Sequence, residues 1–136
     1  MSISYKINLY LGLLKYSIRE KFIRNKDKHF LFLKKYFKNK ENGFYIDVGC
    51  YHPIRISNTK FLYDKGWNGI NIDISKRSID LFDIARKKDI NLNIGVGNKN
   101  RTSVAYFKKA LFHANTIDYE HSKKFLGESE KKKIKV

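Results

Sequence analysis

Apolar residues recur along residues 7–38 at Ile7, Leu11, Leu14, Ile18 and Phe22, and again at Phe30, Leu33 and Phe37. Steps of three, four and seven set them on one face of one or two amphipathic helices, with lysine and arginine on the other. Such a segment, residues 1–42, either docks as a helical cap on the rest of the chain or lies as a basic helix on anionic lipid. Docking is the expectation.

After residue 43 the period changes. Phe44-Tyr-Ile-Asp-Val48, residues 69–74 and residues 90–96 are short apolar or alternating runs of strand length. Helical stretches separate them. Ser57 or Asn58 caps one that carries Phe61 and Leu62 and stops at Gly66, and Ser75 caps another that carries Ile79, Phe82 and Ala85. Asp83 and Lys87 stand four apart in the order that favours an ion pair. The alternation β-α-β-α-β, with strand starts about 23 residues apart, fits parallel crossovers better than hairpins. The fold class is therefore α/β. A further strand is predicted at residues 103–107, after the Asn98-Lys-Asn100 turn signal, and an alternating pattern begins near Lys131.

Composition narrows the function classes. The chain has 136 residues, enough for one compact domain at most, and 42% of them are apolar, including ten Phe and nine Tyr, which argues against a wholly disordered chain. A single cysteine, Cys50, excludes an internal disulfide framework and a cysteine zinc cluster, and the four histidines have no metal-ligand spacing, so no metal is expected. A reducing, cytoplasmic setting follows as the default. The apolar run at residues 7–14 is followed by Lys15 and Arg19 and has no cleavage site, so it reads as neither signal peptide nor membrane span. The net charge of +16 would suit RNA or an anionic membrane surface. The basic residues are dispersed, however, without a ribonucleoprotein motif, and a solvated basic surface is favoured over nucleic-acid binding.

Ligands of open α/β sheets bind beyond the carboxyl ends of the strands. Asp47 ends the first predicted strand, just before Gly49, which lets a ligand approach the backbone. Asp73 ends the second, placed like the carboxylate that accepts ribose hydroxyls in nucleotide-binding folds. After Gly49 come Cys50, Tyr51, His52 and Pro53, bulky and short of one N–H, so a pyrophosphate-cradling turn is disfavoured and diphosphate cofactors lose ground. A cofactor with a ribose but no phosphate fits better. S-adenosylmethionine, cationic at sulfonium and ammonium, would need local carboxylates in so basic a protein. Cys50 reads as a small turn-filling residue, His52 as a structural residue or a general base, and Trp67 as a packing residue.

Three segments together, Tyr45-Ile-Asp-Val-Gly-Cys-Tyr-His-Pro53, Ser57-Asn-Thr59 and Lys65-Gly-Trp-Asn-Gly-Ile-Asn-Ile-Asp73, resemble the FkbM-type S-adenosylmethionine-dependent methyltransferase family. Asp89-Ile-Asn-Leu-Asn-Ile-Gly95 and Asn115-Thr-Ile117 follow in the family's order, so the resemblance spans residues 43–136. It implies a Rossmann-like methyltransferase fold behind an N-terminal helical extension. Residues 43–136 would be the N-terminal half of that domain, about three βα units, with further strands of the family lying beyond Val136. It also implies that Asp47, Gly49 and Tyr51 face the cofactor's amino-acid end, that Asp73 takes the ribose hydroxyls, and that Gly95 and Val96 border the adenine. Asn58 and Thr59 either stabilise the first loop or approach the cofactor.

The implied activity is O-methylation of a sugar or small-metabolite acceptor, with no catalytic residue assigned, and weak or absent cofactor binding by this chain alone. In the usual strand order of these enzymes the first strand is central. Here it would be an open apolar edge that invites pairing with another chain. The alternatives are a non-catalytic remnant or interaction module, and a basic protein binding RNA or a membrane surface.

Overall fold

The computed structural model describes residues 1–22 and 28–136; the Phe22 side chain, counted above in the helical stripe, lies outside the described residues. Two helices, α1 (Ile3–Phe22) and α2 (Lys28–Tyr36), precede β1 (Phe44–Val48), α3 (Lys60–Asp64), β2 (Asn68–Ile72), α4 (Lys76–Ala85) and β3 (Ile90–Leu92). Then come β4 (Thr102–Phe107), α5 (Tyr119–Phe125) and β5 (Glu130–Lys135).

The first three strands form a parallel sheet in the order β1-β2-β3, with Tyr45 opposite Gly69, Asp47 opposite Asn71, and Ile72 opposite Leu92. The protein is thus mixed α/β with a parallel sheet, as the alternation predicts. β3 is shorter than the run at residues 90–96, because the Gly95 N–H leaves the ladder and donates to the Lys135 carbonyl. β4 covers the predicted 103–107 strand and pairs antiparallel with β5, from Thr102 opposite Lys135 to Phe107 opposite Glu130.

The helix signals hold at α4, where the Ser75 hydroxyl accepts the Ser78 N–H. They hold less well at α3. Thr59 occupies the cap position without a side-chain cap bond, and the Ser57 hydroxyl instead accepts the Lys60 N–H, while Asn58 is exposed. The predicted Asp83–Lys87 pair does not form. α4 ends at Ala85, so Lys87 is off the helix, and Asp83 accepts from the Asn91 amide at 3.0 Å.

The two faces of the parallel sheet differ in an unexpected sense. Phe44, Ile46 and Val48 of β1 are each more than half exposed, as is Ile90 of β3, so the apolar face stands in water. The covered face carries Tyr45, Asp47, Gly69 and Asn71, and packs on the Arg86 side chain, which is 1% exposed. One guanidinium nitrogen donates to Thr59 Oγ1 at 2.7 Å and Tyr45 Oη at 3.2 Å; the other donates to Ser57 Oγ at 2.7 Å and the Pro53 carbonyl at 2.8 Å. The Phe82 ring lies under it, 4.8 Å from centroid to guanidinium carbon.

Among the described residues no carboxylate touches Arg86, yet two are one hydroxyl away. Thr59 donates to Asp47 at 2.6 Å, and Tyr45 donates to Asp89, which also takes the Gly69 N–H and the Asn71 amide. Glycine is required at 69, since a Cβ there would lie 2.2 Å from the Tyr45 carbonyl oxygen and 2.6 Å from its ring.

α1 does dock, but through a different face from the one the periodicity selects. Leu9 and Leu13, not Ile7, Leu11, Leu14 and Ile18, are buried, and they pack with Leu81 of α4 against Tyr5, Ile54 and Ile84. The helix is apolar on two sides, and among the described residues it is the shorter stripe, Leu9 and Leu13, that packs into a core cluster. α2 leads into Phe37, which meets Trp67 edge to face at 5.3 Å, beside the buried Tyr45, Leu62 and Trp67.

Replacing Arg86 by Met is predicted to cost about 3 kcal/mol or more, because it strands the buried hydroxyls and carbonyl it serves. Arg86→Lys should recover only part, since an ammonium cannot span acceptors on both branches of the fork. The urea midpoint of each variant checks this.

Candidate functional site

A cavity of about 220 Å³ opens at the carboxyl ends of the three parallel strands. β1 contributes Val48, Gly49 and Tyr51, β2 contributes Ile72, Asp73 and Ile74, and the chain beyond β3 contributes Ile94, Gly95 and Val96. The segment after β4 closes the remaining side with Phe112, His113, Asn115, Thr116 and Ile117. That segment is held in place by a bridge in which Tyr106 and Thr116 exchange backbone hydrogen bonds of 2.8 and 3.2 Å.

The loop after β1 is shaped by its backbone. Gly49 has φ 72°, which glycine adopts without cost, and its N–H and that of Cys50 both reach the Ile72 carbonyl. Tyr51 has φ 55°, an uncommon left-handed conformation for a residue with a side chain, worth about 1–2 kcal/mol of strain. Three contacts impose it. The Tyr51 N–H donates to Asp73 Oδ2 at 2.8 Å, the Ser78 hydroxyl donates to the Tyr51 carbonyl, and Arg55 donates to the Tyr51 phenol at 3.1 Å. Asp73 Oδ1 accepts the Ser75 N–H at 2.7 Å, so one carboxylate ties the β1 loop to the start of α4.

Burial raises the Asp73 carboxyl above the usual range, a shift that its hydrogen bonds to Ser75 and Tyr51 reduce and the charge of Asp47 adds to. Burial also pushes the Cys50 thiol well up, with Asp73 and Asp47 reinforcing it, so Cys50 is a neutral turn-filling thiol and not a nucleophile.

Of the seven residues singled out in the sequence, the structure brings Gly49, Tyr51, Asp73, Gly95 and Val96 to this one cavity. It does not bring Asp47 or Asn58. The Asp47 carboxylate is turned to the covered face and engaged by Thr59, and Asn58 is on the exposed loop. The Asp47 charge still acts at the site, since it bears on both Asp73 and Cys50. The 112–117 wall carries no sequence signal of its role. Asn115-Thr-Ile117 was visible as a pattern, but nothing in its spacing says that it folds back over the strand ends. Gly95 is pressed against the last residue, where a Cβ would stand 2.9 Å from a Val136 methyl.

His52 lies outside the cavity and is 1% exposed. Its Nδ1 accepts the Ile54 and Arg55 N–H groups at 3.1 and 3.0 Å, closing the turn after Pro53. Burial, with Arg55 and Arg86 adding to it, lowers its pKa from 6.5 to about 4, so it is neutral near pH 7. This makes it a structural acceptor. Among the described residues no group of three or more His, Cys, Asp or Glu is placed to hold a metal ion.

Comparison with family models, with curated proteins and with solved structures finds no match for this chain.

The His52 geometry predicts a pH dependence. A folded pKa below the unfolded one stabilises the fold above pH 6.5, and that contribution is lost as pH falls toward 4. Between pH 7.5 and pH 5 it should amount to about 2 kcal/mol, read as the difference in urea stability between the native chain and His52→Asn. Asp73, whose carboxyl is raised, has the opposite sign and is present in both chains, so it cancels in the comparison.

Proposed function

We propose that this chain carries the cofactor-binding part of a Rossmann-like, FkbM-type S-adenosylmethionine-dependent methyltransferase, acting on a hydroxyl of a sugar or small metabolite. The observation that carries the reading is the convergence of Gly49, Tyr51, Asp73, Gly95 and Val96, drawn from three separate strand ends, on one cavity.

The donor set suits the cofactor. The Asp73 carboxylate accepts the Tyr51 and Ser75 N–H groups and stands within reach of the Ser78 hydroxyl, and its four lone pairs leave acceptor capacity for a ribose hydroxyl. Gly49 leaves the backbone open to the amino-acid end beside Tyr51, and Gly95 and Val96 offer an apolar border to the adenine. Asp47 contributes negative field and not contact, which favours a cationic ligand in a chain of net charge +16. When bound, S-adenosylmethionine supplies an electrophilic methyl group. The residues here bind and orient it, and proximity accounts for most of what a protein adds to such a displacement. At about 220 Å³ the cavity is below the roughly 300–1,000 Å³ of a site that encloses a ligand, so binding by this chain is weak and partly open.

A second reading, an interaction module, rests on a different observation. Among the described residues β1 pairs only with β2, so its other edge presents free backbone groups flanked by exposed Phe44, Ile46 and Val48.

Titration of the full chain with S-adenosylhomocysteine to millimolar concentration, followed by amide chemical shifts, tests the first reading. Shifts confined to residues 48–51, 72–74 and 94–96, and lost in Val96→Trp, are expected. The absence of any shift, or shifts elsewhere, would refute it. For the second reading, Ile46→Lys should change the unfolding free energy in urea by no more than about 0.5 kcal/mol, since the site is exposed, while suppressing concentration-dependent light scattering.

A further inference from the structure

α1 carries an apolar stripe that the fold leaves uncovered. Ile3, Ile7, Leu11, Leu14 and Ile18 are each between 52% and 79% exposed. At 3.6 residues per turn they fall within an arc of about 80°, its centre about 140° around the helix from the buried Leu9 and Leu13. Single exposed leucines are ordinary, but five in register along a 20-residue helix form a continuous ribbon.

Cations surround this ribbon. Lys6 lies on one flank and Lys15 and Arg19 on the other, all exposed, and no acidic residue precedes Glu20. The Lys15 flank continues into a groove of about 500 Å³ between α1 and α4, where Leu11 of the ribbon meets Lys15, Arg77 and Lys109. Arg77 is held there from α4 by the Asn8 side chain. Tyr10, exposed at the ribbon's edge, has the amphipathic character favoured at a membrane boundary. Among the described residues no helix is long and apolar enough to cross a membrane.

From this placement we infer that α1 lies in the plane of an anionic lipid surface, its ribbon set among the acyl chains and Lys6, Lys15, Arg19, Arg77 and Lys109 reaching the phosphates. The inference is independent of the methyl-transfer reading. Interfacial helices bury their apolar side by roughly 5–10 Å, and basic side chains beside that face keep their stems on lipid and their charges at the headgroups. Charge decides against the other occupants. A second copy would bring another chain of +16 and the same flanking cations against these. A polyanion such as RNA would use the cations but leave the five aliphatic side chains in water.

The full chain is mixed with vesicles of phosphatidylcholine alone or with 30% phosphatidylserine and floated on a density gradient. Binding to the anionic vesicles is expected to be at least tenfold tighter than to the neutral ones. Leu11→Gln with Leu14→Gln should weaken it by about tenfold or more, and Lys15→Glu should weaken it as well. These positions are exposed, so circular dichroism and the urea midpoint should stay native. Any of three results would overturn the inference: unchanged vesicle binding by the leucine variant, sedimentation showing a dimer that the leucine variant abolishes, or retention on heparin with no vesicle binding.

Discussion

Burying the Arg86 guanidinium takes a full positive charge out of water, a cost of several kcal/mol even after relaxation. Among the described residues it is offset without a contacting carboxylate. The charge passes through Thr59 to Asp47 and through Tyr45 to Asp89, so each carboxylate is screened by a hydroxyl that both accepts and donates. Those partners sit on β1, on the loop before α3 and in the turn before β3, while Arg86 itself ends α4. One side chain therefore fixes the spacing of the crossover units over the sheet.

Because the covered face is organised by polar contacts, most of the buried apolar residues among those described fall in three small clusters instead of one core. Leu9 and Leu13 meet Leu81; Tyr45 and Leu62 meet Trp67; Cys50 meets Ile79 and Phe82. α4 serves two of them, and its first turn also holds the cavity loop through Ser75 and Ser78. The price is a sheet face and a helix ribbon left in water. Small apolar clusters in a chain of this length give limited stability, which makes the Arg86 network a large share of the total.

The strands, their parallel order, the Ser75 cap and the Gly66 stop were legible because each is a local pattern with a local cause. The cavity was legible in the sense that Gly49, Asp73 and Gly95 mark strand ends, and strand ends converge in a parallel sheet. Arg86 was not legible. No motif surrounds it, and an arginine after a helix reads as surface. Its only trace is the alternation of Tyr45, Asp47 and Asn71 on the side of the sheet that packs inward. The docking face of α1 is hidden for a related reason: five residues in step outweigh two in any periodicity count, yet Leu9 and Leu13 are the pair that meets Leu81. The wall from Phe112 to Ile117 depends on a long-range bridge to Tyr106, which spacing along the chain does not encode.

The contact between Gly69 and the Tyr45 ring has a mutational consequence. Any side chain at 69 displaces that ring, which withdraws a hydroxyl from Arg86 and from Asp89 together, and it also meets the Tyr45 carbonyl oxygen, which no shorter residue at 45 would remove. Positions 45, 69, 86 and 89 are coupled through this network, so substitutions at them are expected to be non-additive in stability: each change alters what its neighbours can still bond.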